Sequence, residues 1–114
     1  MWTVEQQGDL RILRRVVRPP AVVLVPESPW TDLDREMGPT PNGRYVVDIA
    51  DERYLTSEAL SVLVGLVRRV QHAGGRMVFA SSQPAVISVL DSTRLSRLVP
   101  VVPDVSAALV QLRT

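Results

Sequence analysis

Apolar and polar positions along the chain switch between a period of two and a period near 3.6, and each switch marks an element. Trp2 and Val4 alternate with polar neighbours, "QQGD" reads as a turn, and Leu10, Ile12 and Val16 resume the alternation. The pattern predicts an N-terminal β-hairpin. "RPP" (18–20) ends it, because proline has no N–H and restricts the residue before it. The short β-branched run "AVVLV" (21–25) reads locally as a strand. Ser28 as a cap, with Pro29 in the first turn, predicts a helix over about 29–37 that stops near Gly38.

From residue 44 the pattern sharpens. "RYVVDI" is a continuous apolar run of the kind found in a strand covered on both faces. "TSEALSVLVGLVRRVQHAGG" then takes the helical period, with Leu60, Leu63, Val64 and Val67 on one stripe and Gly74-Gly75 as the stop. "RMVFA" (76–80) is the next strand. "SSQPAVISVLDSTRL" predicts a helix with a serine cap, Pro84 in its first turn and apolar Val86, Ile87, Val89 and Leu90. "LVPVV" (98–102) is expected to be a strand whose proline marks an edge position or an irregular start. Asp104 then caps a last helix carrying Val105, Ala108, Leu109 and Leu112. A hairpin followed by β-α-β-α-β-α predicts a single α/β domain over residues 1–114, with a four- to five-stranded, mostly parallel sheet under helices.

The chain has 114 residues, of which 46% are hydrophobic and only five aromatic (two Trp, two Tyr, one Phe), so its core is aliphatic. All 13 basic residues are arginine, yet the net charge is only +1, which gives no electrostatic footprint for nucleic acid. The local cluster "RILRRVVR" (Arg11, Arg14, Arg15, Arg18) reads as the solvent side of a strand. The absence of cysteine removes disulfides, thiolate metal ligands and thiol nucleophiles. No run is long enough to span a membrane and no signal-peptide pattern opens the chain, so a cytoplasmic location is expected.

Catalytic chemistry has little to work with. The one histidine, His72, falls with Arg68 and Ser61 on the polar side of the long helix, so no nucleophile–histidine arrangement forms around it. The acidic groups "DLDRE" (Asp32, Asp34, Glu36) and "DIADE" (Asp48, Asp51, Glu52) carry no recognised metal-loop pattern. "AGGR" follows a helix where a phosphate loop would precede one. Asp48 at a strand end suggests a phospho-accepting receiver, but that chemistry as usually built uses a lysine, and the chain has none. No enzyme, cofactor or metal is expected. An enzyme would require a deep polar pocket joining Asp48, Asp51 and Ser81.

What remains is the junction "DIADERYLTSEAL". Strand ends and the starts of the following helices share one rim of a parallel sheet, where ligands and partners bind. Thr56 and Ser57 lie there. Either could simply cap the helix, worth on the order of 1 kcal/mol. A phosphate on Ser57 would also be tolerated by the helix dipole while changing the surface by nearly two charges. The apolar arc of this helix, from Val62 through Leu66 to Leu60 and Val64, covers roughly half the circumference. Val62 and Leu66, at one edge, are therefore candidates for a partner surface, and burial by neighbouring helices is the alternative.

In order and spacing, residues 44–110 resemble a STAS domain, the module of bacterial anti-sigma factor antagonists. The strand aspartate falls on Asp48, "GGRMVFA" matches the strand after the long helix, and "STRLSRLVPVVPDVSAAL" matches the closing segment. The resemblance implies a STAS-like fold, from which the chain departs before residue 44: either the family's first crossover helix is reduced to about 29–37, or 21–25 has become an extra extended stretch. It also implies that the serine phosphorylated in family members falls on Ser57. The preceding Asp falls on Thr56, the second Ser on Glu58 and the Gly on Ala59, so one of four turn positions is retained. Partner-binding residues implied with it are Asp51, Thr56, Ser57, Glu58, Ser61, Val62 and Leu66, with Ser57 and Thr56 as phosphorylation candidates. The partner would be an anti-sigma factor kinase in partner switching. The alternative is a non-switching scaffold or an accessory subunit of a lipid-transport complex. Homodimerisation is compatible with either.

Overall fold

A computed structural model describes residues 2–8, 10–15 and 29–113. Val16, Arg18, the extended run 21–25 and the Ser28 cap lie outside the described residues. Strands β1 (Trp2–Gln7) and β2 (Leu10–Arg15) form the expected antiparallel hairpin, turning at Gly8 with φ +63°. Helix α1 (Pro29–Met37) has the predicted bounds. Strand β3 (Arg44–Asp48), helix α2 (Ser57–Ala73) and strand β4 (Arg76–Ala80) follow, then α3 (Pro84–Ser92), α4 (Leu95–Leu98), β5 (Val101–Val102) and α5 (Val105–Arg113).

The five strands stand in the order β1-β2-β3-β4-β5, and every pairing after the hairpin is parallel. Each new strand is added on the same side, so right-handed crossovers carry all the connecting helices to one face. The two cores follow this rule. On one face Leu13, Tyr45, Val47 and Phe79 meet Leu33 of α1, Leu63 and Val67 of α2, and Val86 and Leu90 of α3. On the other, Ile12, Val46, Val78 and Ala80 meet Ala108 and Leu112 of α5. The pleat sends successive side chains to opposite faces, which is why β3 and β4 read as unbroken apolar runs.

Helix α2 starts where Thr56, in extended geometry, accepts a hydrogen bond at Oγ1 from the Ala59 N–H at 3.1 Å. It ends at Gly74, whose φ of +78° puts it in the left-handed region that favours glycine. Gly75 is required for a different reason. A Cβ there would lie 2.5 Å from the Pro41 carbonyl oxygen and 2.8 Å from that of Gly43. The buried stripe of α2 is Ala59, Leu63, Leu66, Val67 and Val70, while Leu60, Val62 and Val64 are half-buried at its edges. Leu66 is therefore core, because α1 and α4 both pack against α2 and widen the covered arc.

Two further expectations need correction. β5 is an edge strand with an irregular start, as expected, but the residues before it form the short helix α4 and strand geometry is confined to 101–102; Pro100 supplies only its carbonyl, which accepts from the Phe79 N–H at 3.0 Å. The N-cap of α3 is Gln83 rather than a serine, and no side chain caps that end. Ser81, almost fully buried, instead accepts from the Gln83 N–H at 3.2 Å and closes the turn before the helix. Asp104 does cap α5, accepting from the Ala107 N–H at 2.8 Å. At the other end of α5, Arg44 and Arg76, neighbours in the β3–β4 register, donate to the last carbonyls at Leu112 and Gln111.

Three stability measurements test these contacts. Gly75→Ala forces a Cβ into backbone oxygens that cannot give way, and is expected to lower unfolding free energy by about 1–3 kcal/mol, read from the urea midpoint. Thr56→Ala should cost about 1 kcal/mol by loss of the cap. Ser57→Ala, one residue on, should stay within about 0.5 kcal/mol of wild type.

Candidate functional site

The C-terminal rim of the parallel strands is built around residues 48–62. Asp48 closes β3, opposite Arg14 in the register with β2. Its Oδ1 accepts from the Ala50 N–H at 3.1 Å and its Oδ2 stands 3.5 Å from Arg14 Nε. The carboxylate thus ties the start of the following loop to two strands. The Glu52 N–H donates to the Ile49 carbonyl at 3.0 Å, turning the chain, and Leu55 packs against the core before Thr56 caps α2.

Between these fixed points the expected site residues come together. Asp51, Thr56, Ser57, Glu58 and Ser61 are exposed, and Val62 is half-buried on the same end of α2. Leu66 does not join them, being fully buried. The two hydroxyls divide their work. That of Thr56 is occupied in the cap, whereas Ser57 is the first residue of the helix and its hydroxyl makes no hydrogen bond among the described residues. Helix N–H groups without intrahelical partners cluster at this end and favour negative charge.

Other candidate chemistry does not assemble. In "DLDRE" each acid faces an arginine: Asp32 with Arg35 at 3.6 Å, Asp34 with Arg69 at 2.8 Å and Glu36 with Arg11 at 3.5 Å. Among the described residues no group of three His, Asp or Glu side chains could hold a metal ion. His72 is exposed at the far end of α2, with Arg68 and Ser61 on the same solvent side. Ser81 lines an open groove of 470 Å³ with Ser82, Ile87, Asp91, Ser96, Val101, Val102 and Pro103, and neither Asp48 nor Asp51 belongs to it. No helix among the described residues is long and apolar enough to cross a membrane.

Sequence reasoning passed over Tyr54, whose side chain is 68% exposed on the loop leading into α2. The signal available was an aromatic set among charged residues just outside a helix start.

Comparison with known proteins places this geometry. The family model described as STAS domain matches residues 28–108, a span that contains the whole rim. No curated protein matches in sequence. Among solved structures, a Thermotoga maritima protein assigned as an anti-sigma factor antagonist superposes with a TM-score of 0.76 at 18% identity, over 99% of this chain and 95% of its own. An anti-sigma factor antagonist from Mycobacterium paratuberculosis superposes at 0.75, also with 18% identity, over 100% of this chain and 94% of its own. At that identity the likeness is one of fold, and it includes the five-stranded, mostly parallel sheet with its N-terminal hairpin. With the family match covering well over half of its length, the chain belongs to the STAS domain family.

Proposed function

We propose that this protein is a non-catalytic interaction module of a bacterial cytoplasm that works by partner switching. Unmodified, its rim and the start of α2 bind an anti-sigma factor that is also a serine kinase; phosphorylation of Ser57 releases that partner. The observation that carries this reading is the separation of roles between Thr56 and Ser57. The cap is supplied by one hydroxyl, which leaves the other exposed at the first helical position. A phosphate on Ser57 can therefore be added without uncapping α2, and the helix dipole favours it there. It would bring nearly two negative charges beside exposed Glu58 and Asp51, raising the desolvation cost of any interface formed over the rim. Phosphorylation of Thr56 would instead disturb the cap, so Ser57 is the better acceptor of the two. Asp51, Glu58, Ser61 and Val62 complete the contact surface; Leu66 is withdrawn from it.

The fold neighbours assigned as anti-sigma factor antagonists support the reading at the level of family. One feature favours a second reading: Thr56, Glu58 and Ala59 replace three of the four turn positions of family members, and Glu58 places a permanent charge next to Ser57. A non-switching module, a scaffold or an accessory subunit of a lipid-transport complex, would carry such a turn without loss.

Incubation with candidate anti-sigma kinases and ATP should place one phosphate on Ser57, located by mass spectrometry. Ser57→Ala should bind the kinase and take no phosphate, and Ser57→Asp should bind about tenfold or more weakly, roughly 1.4 kcal/mol. A Ser57→Ala protein that binds and is modified as wild type would rule out the switch. Stable co-purification of an unphosphorylated chain with transporter subunits would favour the second reading.

A further inference from the structure

The chain has five aromatic side chains, and four of them serve the core. Trp2, Trp30, Tyr45 and Phe79 are 8% exposed or less, and the two tryptophans pack edge to face at 5.6 Å. The fifth, Tyr54, is 68% exposed, the most exposed large hydrophobic side chain among the described residues. Arg53 beside it is exposed as well, and among the described residues neither side chain makes a hydrogen bond or an ion pair. Many arginines elsewhere are committed: Arg11, Arg14, Arg35 and Arg69 to carboxylates, Arg44 and Arg76 to the end of α5.

The loop that carries this pair is held at both ends. Asp48 binds the Ala50 N–H, a turn closes from Glu52 to Ile49, Leu55 is anchored in the core and Thr56 begins α2. A large side chain presented from a fixed backbone loses little entropy when it is buried by a partner, and tyrosine has only two side-chain torsions to freeze. Tyrosine and arginine are also the residue types that most often dominate interface energetics. We infer that Tyr54 is the anchor of the partner interface. Its ring enters an apolar slot on a partner protein, and Arg53 pairs with a carboxylate at the edge of that slot. The inference rests on the proposed function only for placing the interface at this rim; the anchor residues and the chemistry of the slot go beyond it. Ser57, three positions after Tyr54, then sits at the border of the buried patch, where a new phosphate would be partly desolvated.

The test uses the full chain immobilised as bait for a lysate of the organism that encodes it. Each protein retained by wild type is purified and titrated against wild type, Tyr54→Ala, Tyr54→Phe, Arg53→Glu and Val110→Ala. Val110, 61% exposed on α5, controls for loss of any exposed apolar group. Tyr54→Ala is expected to weaken binding roughly thirtyfold or more, with Val110→Ala unchanged. Tyr54→Phe should keep most of the affinity, since the slot is apolar, and a weakening as large as that of Tyr54→Ala overturns that chemistry. Arg53→Glu should weaken binding and flatten its salt dependence, and equal binding removes the carboxylate. Circular dichroism and melting curves should match wild type for every variant. If a kinase is captured and Tyr54→Ala binds it as wild type does, the anchor is wrong and the switch reading stands. If the captured protein is no kinase but is lost by Tyr54→Ala, the anchor stands and the switch reading fails. If wild type retains nothing that Tyr54→Ala loses, the anchor is overturned.

Discussion

The apolar residues of strands β3 and β4 are buried on both faces, and this constraint organises the rest of the molecule. Val46 and Val78 point to one side and Val47 and Phe79 to the other, all at 1% exposure or less. Two-sided burial demands helical cover on both faces. One-directional addition of parallel strands puts every crossover helix on a single face, so the second face is left to whatever follows β5. That element is α5, whose Ala108 and Leu112 pack over Leu10, Ile12, Val46, Val78 and Ala80. The arginines at the start of β3 and β4 hold its final carbonyls and lock the cover in place.

The same constraint builds the C-terminal rim of the sheet. Parallel strands end together, so the Asp48 loop, the Ser81 turn and the Asp104 cap lie along one edge. Ladder bonds run between them, from the Ile49 N–H to Ala80 and from the Ser81 N–H to Val102. A rim so tied presents its outward side chains from a backbone fixed by hydrogen bonds. A charge placed at the first residue of α2 would alter the surface while leaving the Thr56 cap intact.

Much of the fold was legible along the chain because its signals are local. The turn at Gly8, the apolar runs of β3 and β4, the left-handed stop at Gly74 and the Asp104 cap each depend on a few neighbouring residues. The failures occurred where local alternatives are close in energy. "LVPVV" has strand composition, but Pro100 offers no donor and the preceding turn closes as α4, leaving two residues of β5. Ser81 looks like a helix cap until its place at a buried strand end is known. At the site, the choice between Thr56 and Ser57 as cap could not be made from spacing, since either hydroxyl suits a helix start.

By itself the sequence determined the succession of elements apart from α4, the limits of α1 and α2, and the placing of Thr56 and Ser57 on a rim, since periodicity, proline and capping chemistry act through adjacent residues. Only the tertiary structure decided that Leu66 belongs to the core, that Asp48 meets Arg14 across β2, and that Tyr54 alone among the aromatics faces solvent. These depend on which elements lie alongside, and a half-circumference apolar arc or a lone aromatic is compatible with either burial or exposure until its neighbours are in place.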